Sequence, residues 1–425
     1  QELPIGKKSI IGRQWEYQHS YYLLLHFKPH SPMIRRLIIL LLIVGCVFGE
    51  DVIEANNRFA INLYSQYKSE EGNIFFSPFS ISTAMAMVYE GAEGKTAKEI
   101  KSVFGFPKYD NSRRNQYSNL LSEINKKDQE YILTTANALW AQQNYNFLDE
   151  YLTTVKEYYG GKTTNLDFKN DPEASRLIIN NWVEDKTNNK IKDLFPEGSI
   201  DHLTRLVLTN AVYFKAEWLT QFDADKTSDE YFRVNPNKSI KVPMMQPTSQ
   251  KSTFNYTQNK DLQILEMPYA GEDLSMLILL PFDDDIEVLE NSFTIEKLTE
   301  WKKSLRKRRV NIYIPKFKFE TKYFLRKTLS NLGMPTAFTN SADFSGMTGT
   351  KVLKIDKVIH QAFIEVNEEG TEAAAATAVI MYKTMLREQK HPTPVFRADH
   401  PFIFIIQQNE TGNILFMGRV SNPNN

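Results

Sequence analysis

The chain has 425 residues, 42% hydrophobic and 12% aromatic, which is ample for a sizeable core and excludes global disorder. Its 51 basic and 51 acidic side chains cancel, so no overall field draws it to nucleic acid or to an acidic membrane. The single cysteine, Cys46, excludes an intrachain disulfide and leaves stability to packing alone.

Residues 1–32 contain no methionine and read as an upstream, non-native extension. Met33 opens a targeting signal over 33–49. Arg35-Arg36 is its basic end, Leu37 to Val44 its apolar run, and Gly49 its small-residue end. The run falls far short of the ~20 apolar residues of a membrane span, so it predicts a secretory signal and an extracellular protein. Ile43-Val44-Gly45-Cys46 also fits a lipoprotein cleavage pattern, and a lipid anchor through Cys46 is the alternative. Residues 50–425 then form a single domain.

That domain opens with an amphipathic helix over Ile53–Tyr67, where Phe59, Leu63 and Tyr67 recur at spacing four. Ile74-Phe75-Phe76 is strand-like and meets Ser77-Pro78, a start signal for a helix apolar nearly all round and therefore buried. Gly91-Ala92-Glu93-Gly94-Lys95-Thr96 invites a phosphate-loop reading, but two residues separate its glycines where that motif needs four; it reads as a turn before a helix at Ala97–Phe104. Ile132–Trp140 predicts a central strand, Leu177–Val183 a helix, and Arg205–Trp218 a strand too apolar for an edge. Asn210 interrupts that last run, and a buried amide must find partners.

Strands dominate afterwards: Val242–Met245, Leu262–Met267, Leu274–Leu280 and Val310–Phe317, with Lys316 near the end of the last. A helix at Phe324–Leu332 stops at Gly333, and Phe344–Met347 reads as a turn. Phe402–Gln407 and Ile414–Val420 form an apolar hairpin around Asn409-Glu410-Thr411-Gly412.

Between these lies a stretch that contradicts itself: Glu368, Glu369, Gly370, Thr371, Glu372, Ala373, Ala374, Ala375, Ala376, Thr377, Ala378 and Val379. Four alanines between glutamates favour helix. As an extended chain, however, Thr371, Ala373, Ala375, Thr377 and Val379 share one small, uncharged face. Such a face can slide between two strands without burying a charge. The opposite face, with Glu372, Ala374, Ala376 and Ala378, suits partial solvent. Gly370 in front allows a hinge through its conformational freedom. From Ile380 to Ala398 no period persists, as expected of a functional loop.

Hinge and loop together resemble the reactive-centre region of a serpin, and the resemblance extends over about Asp51 to Pro423. It implies an α+β serpin fold of three β-sheets with eight or nine helices and an exposed reactive-centre loop at about 368–399. It assigns Ser77, Ser80, Asn210 and His360 to the shutter beneath the main sheet, and Trp218 and Lys316 to the breach where the hinge enters. It implies irreversible suicide inhibition of a serine protease, trypsin-like or elastase-like, with cysteine proteases as a further class. A non-inhibitory serpin, acting as carrier, storage protein or chaperone, is the alternative. The chain is expected to act as a monomer, to need no cofactor or metal and to catalyse nothing itself.

The family spacing puts the reactive bond fourteen positions beyond Gly370, at Thr384–Met385, with Lys383–Thr384 as the alternative. Thr384 suits an elastase-like pocket and Lys383 a trypsin-like one, whose buried carboxylate can pair with the lysine. No nucleophile elbow, zinc-binding histidine pair or dinucleotide fingerprint occurs. Three of the seven histidines fall in the first 32 residues, and His360 reads as a satisfied core histidine rather than a ligand. The run Lys302-Lys303-Ser304-Leu305-Arg306-Lys307-Arg308-Arg309 reads as solvated surface ahead of a polyanion site. Of three glycosylation sequons, at Asn237, Asn255 and Asn409, the third is expected in a tight buried hairpin.

Overall fold

The computed structural model describes residues 51–126, 129–247, 252–282, 285–371 and 392–425. The extension 1–32, the signal 33–49 with Cys46, the hinge residues Glu372 to Thr377 and the reactive bond at Lys383, Thr384 and Met385 lie outside them.

Local chemistry sets the helix ends. Asp51 caps α1 (Val52–Tyr67) by accepting from the Ile53 N–H at 2.9 Å. Ser77 caps α2 (Pro78–Tyr89), with proline at its first position and only Tyr89 escaping full burial. Helix α3 (Gly94–Phe104) begins three residues before the expected Ala97 and stops at Gly105 in the left-handed conformation, φ 62°. Then follow α4 (Asp110–Ile124), α5 (Asp149–Tyr159), α6 (Pro172–Lys186), α7 (Ile286–Ser292), α8 (Ile295–Ser304), α9 (Arg326–Leu332) and α10 (Ser345–Thr348). The described residues thus hold ten helices rather than eight or nine; α10 occupies what reads in sequence as a turn.

Three sheets complete the described residues. The seven-stranded sheet runs β1 (Ile74–Phe76), β17 (Ile414–Val420), β16 (Phe402–Gln408), β9 (Leu274–Pro281), β8 (Leu262–Pro268), β7 (Thr253–Gln258), β10 (Arg306–Arg309). The four-stranded sheet runs β15 (Val395–Arg397), β11 (Asn311–Pro315), β6 (Lys238–Met245), β5 (Ser228–Asn235). The six-stranded sheet runs β12 (Phe317–Phe324), β13 (Lys357–Val366), β14 (Gly370–Thr371), β4 (Leu206–Glu217), β2 (Tyr131–Gln142), β3 (Lys162–Leu166). Leu206, Leu208, Val212, Phe214 and Ala216 of β4 enter the main core, where α2 packs between this sheet and β17. Val207 and Ala211 face the other way, into a second cluster under α6. Both faces of the sheet are therefore covered along its middle, which is why β4 and β13 read as nearly continuous apolar runs.

Candidate functional site

The centre of the six-stranded sheet is a fork. Over Val207–Val212, β4 pairs in parallel with Lys357–Ala362 of β13. Four residues further along β4 the two strands no longer touch, because β14 lies between them. Gly370 pairs with Glu217 and Thr371 with Ala216, while Thr371 also pairs with Val366, both ladders antiparallel.

Gly370 owes its place to closeness, not to an unusual backbone angle. A Cβ there would stand 2.0 Å from the Ala216 carbonyl oxygen and 2.6 Å from the Glu217 Cα. The flexible hinge expected at this glycine is thus a tight strand-to-strand fit. Asn367 shapes the turn before it, its side-chain oxygen accepting from the Glu369 and Gly370 N–H groups at 3.0 and 3.1 Å.

The entry to the fork is heavily bonded. The Trp218 and Phe222 N–H groups donate to the Glu369 and Glu368 carbonyls, each at 2.8 Å. The Trp218 indole N–H donates to the Asn367 carbonyl at 3.0 Å. Its ring stacks on Tyr269, centroids 4.5 Å apart, and the Tyr269 phenol bonds the buried Thr371 hydroxyl at 2.8 Å. Lys316 reaches a Glu368 carboxylate oxygen at 2.8 Å and Thr227 donates to the other at 2.8 Å. Burial pushes the Glu368 carboxyl up, but hydrogen bonds, that of Lys316 foremost, outweigh it and hold the group below the usual carboxylate range.

Beneath the closed part of the fork lies a buried polar cluster. The Ser77 N–H donates to His360 Nε2 at 3.1 Å, so Nδ1 carries the proton and donates to the Asn210 side-chain oxygen. The Asn210 amide donates to Ser80 Oγ at 2.5 Å and to the Asn137 side-chain oxygen. Ser77 Oγ caps α2 and donates to the Leu415 carbonyl at 2.7 Å. Burial drives the His360 pKa from 6.5 down to about 3, against an opposing contribution from Asn210, so the ring stays neutral at ordinary pH.

The structure thus brings together Ser77, Ser80, Asn210 and His360 in one group, and Trp218, Lys316, Glu368, Glu369, Gly370 and Thr371 in another. Sequence reasoning passed over Asn137, Tyr269, Thr227 and Asn367. Asn137, a polar residue inside an apolar strand, carried the same signal as Asn210. Tyr269 carried none.

The basic run ends α8 and forms the edge strand β10, with Lys303, Arg306, Lys307 and Arg308 exposed. Asn409 is exposed at its turn, its amide donating to the Glu272 carbonyl at 2.6 Å, so the buried hairpin expected there is corrected: the turn projects beyond the strand ends. Among the described residues no three His, Cys, Asp or Glu side chains form a metal cage, and no helix is long and apolar enough to cross a membrane.

A family profile described as Serpin (serine protease inhibitor) matches residues 54–423. The chain belongs to the serpin family. It is 42% identical to human leukocyte elastase inhibitor over 386 residues, covering 88% of this chain and 100% of that one. Serpin48 of the insect Tenebrio molitor superposes with a TM-score of 0.79 at 34% identity, covering 87% of this chain and 98% of that one. Human thyroxine-binding globulin in complex with thyroxine matches with TM-score 0.79 at 31% identity, covering 88% and 99%. Serpins thus include a named elastase inhibitor among the relatives and a thyroxine-binding globulin among the structural neighbours.

Proposed function

We propose that this serpin is an irreversible suicide inhibitor of serine proteases. The protease serine attacks the carbonyl carbon of Thr384, or of Lys383, forming an ester and expelling the amine of the next residue. The freed hinge then enters the sheet between β4 and β13 before water can cleave the ester. Cysteine proteases would be held through a thioester in the same way. Residues 33–49 direct export, with lipid attachment at Cys46 as the alternative.

The observation that carries this reading is the register of β14. Continuing both of its ladders residue by residue sets Ala373 beside Phe214 and Ile364, Ala375 beside Val212 and Ala362, and Thr377 between Asn210 and His360. Residues on the face of Thr371 would enter the core, and those from Thr371 to Val379 are small or β-branched and uncharged. Ala374, Ala376 and Ala378 would pass beneath α6, so the opposite face, expected in partial solvent, would need smallness there. Glu372 would sit beside half-exposed Lys215. Thr377 would divide the His360–Asn210 pair and offer a hydroxyl to both. A carrier role, as in the thyroxine-binding neighbour, has no comparable need for a loop shaped to fill the sheet.

Mixing the exported chain with trypsin, chymotrypsin and elastase tests the proposal. It expects a protease–inhibitor adduct that survives SDS; a loop cleaved by every enzyme without such an adduct sinks it.

A further inference from the structure

The segment that holds the proposed reactive bond is tied down on both sides, by β14 in the fork and by β15 after it. The second tie is short. Strand β15 pairs in parallel with β11 over Val395 to Arg397 alone, and Val395 is half exposed at its outer end. Beyond it the Ala398 N–H donates to the Tyr313 carbonyl at 2.9 Å, and the Arg233 N–H to the Asp399 carbonyl at 2.8 Å. Phe402 then starts β16, a central strand of the seven-stranded sheet. His400 sits at this change from edge to centre and is buried, 5% exposed.

Both ring nitrogens of His400 face acceptors. Nε2 stands 2.7 Å from the carbonyl oxygen of Pro281, the last residue of β9. A carbonyl has no proton to give, so Nε2 is the donor. Nδ1 stands 2.9 Å from Asp399 Oδ1. In the neutral ring Nδ1 would be a bare lone pair against a carboxylate oxygen, whereas in the imidazolium both nitrogens donate. Neither nearby arginine replaces that proton. Arg233 Nη2 lies 3.4 Å from Nδ1 but 3.1 Å from the same Asp399 oxygen, and Arg397 pairs with Glu230 and covers the Tyr313 ring. Burial pushes the Asp399 carboxyl up, yet the hydrogen bond from His400 and the charge of Arg233 outweigh it, so the acceptor stays ionised.

We infer that His400 is a positioning residue: as an imidazolium it clasps Asp399 to the end of β9 and so fixes the C-terminal foot of the reactive loop. Only the charged ring makes both contacts. The clasp is therefore complete in acid and incomplete above the range in which histidines lose their charge, about pH 5–8. A loosened foot lets β15 slip and shifts the reactive bond relative to a docking protease. For that consequence the inference rests on the inhibitory reading above; the clasp itself does not.

Hydrogen exchange read by mass spectrometry on the full chain tests it, with each rate divided by that of an unstructured peptide at the same pH. Protection over residues 395–399 should be about 5- to 10-fold higher near pH 5.5 than near pH 8, the margin of a charged over a neutral hydrogen bond. His400→Gln, which can still donate to Pro281 but takes no charge, should give the low value at both. His400→Arg, a permanent cation, should give the high value at both, which packing alone would not produce. Asp399→Asn removes the acceptor's charge and should flatten the profile at the low value.

A flat wild-type profile overturns the inference, as does a His400→Gln chain that keeps the wild-type slope. A rise in acid shared equally by β16 and β17 would report global stability and overturn it too. The two readings fail separately. A chain with the pH-dependent foot but no SDS-resistant adduct supports the clasp and defeats the inhibitory reading; a flat foot in a chain that does form adduct does the reverse.

Discussion

The indole of Trp218 stacks on the ring of Tyr269 with 10° between their planes, and the Tyr269 phenol holds Thr371. Through this pair the first inserted residue of the hinge is tied to the hairpin between β8 and β9. Tyr269→Phe keeps the stack but strands a buried threonine hydroxyl, which should cost about 1–3 kcal/mol in the intact form. Urea unfolding measures this loss, while the Trp218 emission maximum should hold steady. Tyr269→Ala should move that emission to the red; an unmoved spectrum would place the indole elsewhere.

Gly370→Ala sets a methyl group against the Ala216 carbonyl, backbone against which no side chain can swing away. Overpacking of this kind costs about 1–3 kcal/mol, and withdrawing β14 relieves it. The variant should unfold earlier, show a red-shifted Trp218 and take up a synthetic peptide carrying residues 371–384 into the sheet faster than wild type. Equal uptake rates would mean that β14 does not occupy the entry in solution.

If the chain traps proteases as proposed, two hinge substitutions should turn it into a mere substrate. Thr371→Arg buries an unpaired cation where Thr371 now lies in the core, and Ala375→Pro removes a donor from what would become a central strand. Both variants should be cleaved at wild-type rate and yield little SDS-resistant adduct. Gel densitometry of adduct against cleaved chain decides; wild-type adduct from both contradicts insertion.

Acid should loosen the polar cluster. His360 has a folded pKa of about 3 against 6.5 for the free side chain, so between those values the unfolded chain binds the extra proton. Its contribution is intact above about pH 6.5 and is lost as pH falls toward 3, at up to about 1.4 kcal/mol per pH unit. By pH 5 the loss should approach about 2 kcal/mol. Urea midpoints from pH 7 to 5 should fall more steeply in wild type than in His360→Gln. Parallel slopes would assign the acid sensitivity to other groups.

Mass spectrometry of the peptide released from a trapped complex fixes the reactive bond. A fragment beginning at Met385 assigns Thr384, and one beginning at Thr384 assigns Lys383. A fragment beginning only at Glu388 would lengthen the tether by three residues relative to Thr384 and rule out both.

Much of the architecture was legible because long apolar runs leave few choices. Strand β4 and the buried helix α2 read directly from sequence, and Asn210 stood out as a lone amide within such a run. Helix α4 did not, since most of its residues are polar and it is held through Arg113, which is buried against Glu90 at 2.7 Å and lies under the Tyr89 ring. Residue type alone misassigned the reason for Gly370: a glycine needed for flexibility and one needed for close approach look the same until the neighbouring strand is placed. Tyr269 joins the site only through folding, from a strand end with no local pattern.

The seam between β4 and β13 is parallel and only six residue pairs long, whereas an incoming strand would run antiparallel to both neighbours. Antiparallel ladders are slightly the more stable per residue, and one short ladder would give way to two longer ones. The driving force for closing the trap would then reside largely in the main chain, and it would ask of the inserting side chains only that they be small and uncharged. The residues around Thr384 that a protease reads are under no such demand. Under the proposed mechanism, choice of victim and force of capture would change independently, so exchanging Tyr382, Lys383 and Thr384 should redirect the chain to a different protease without weakening its grip.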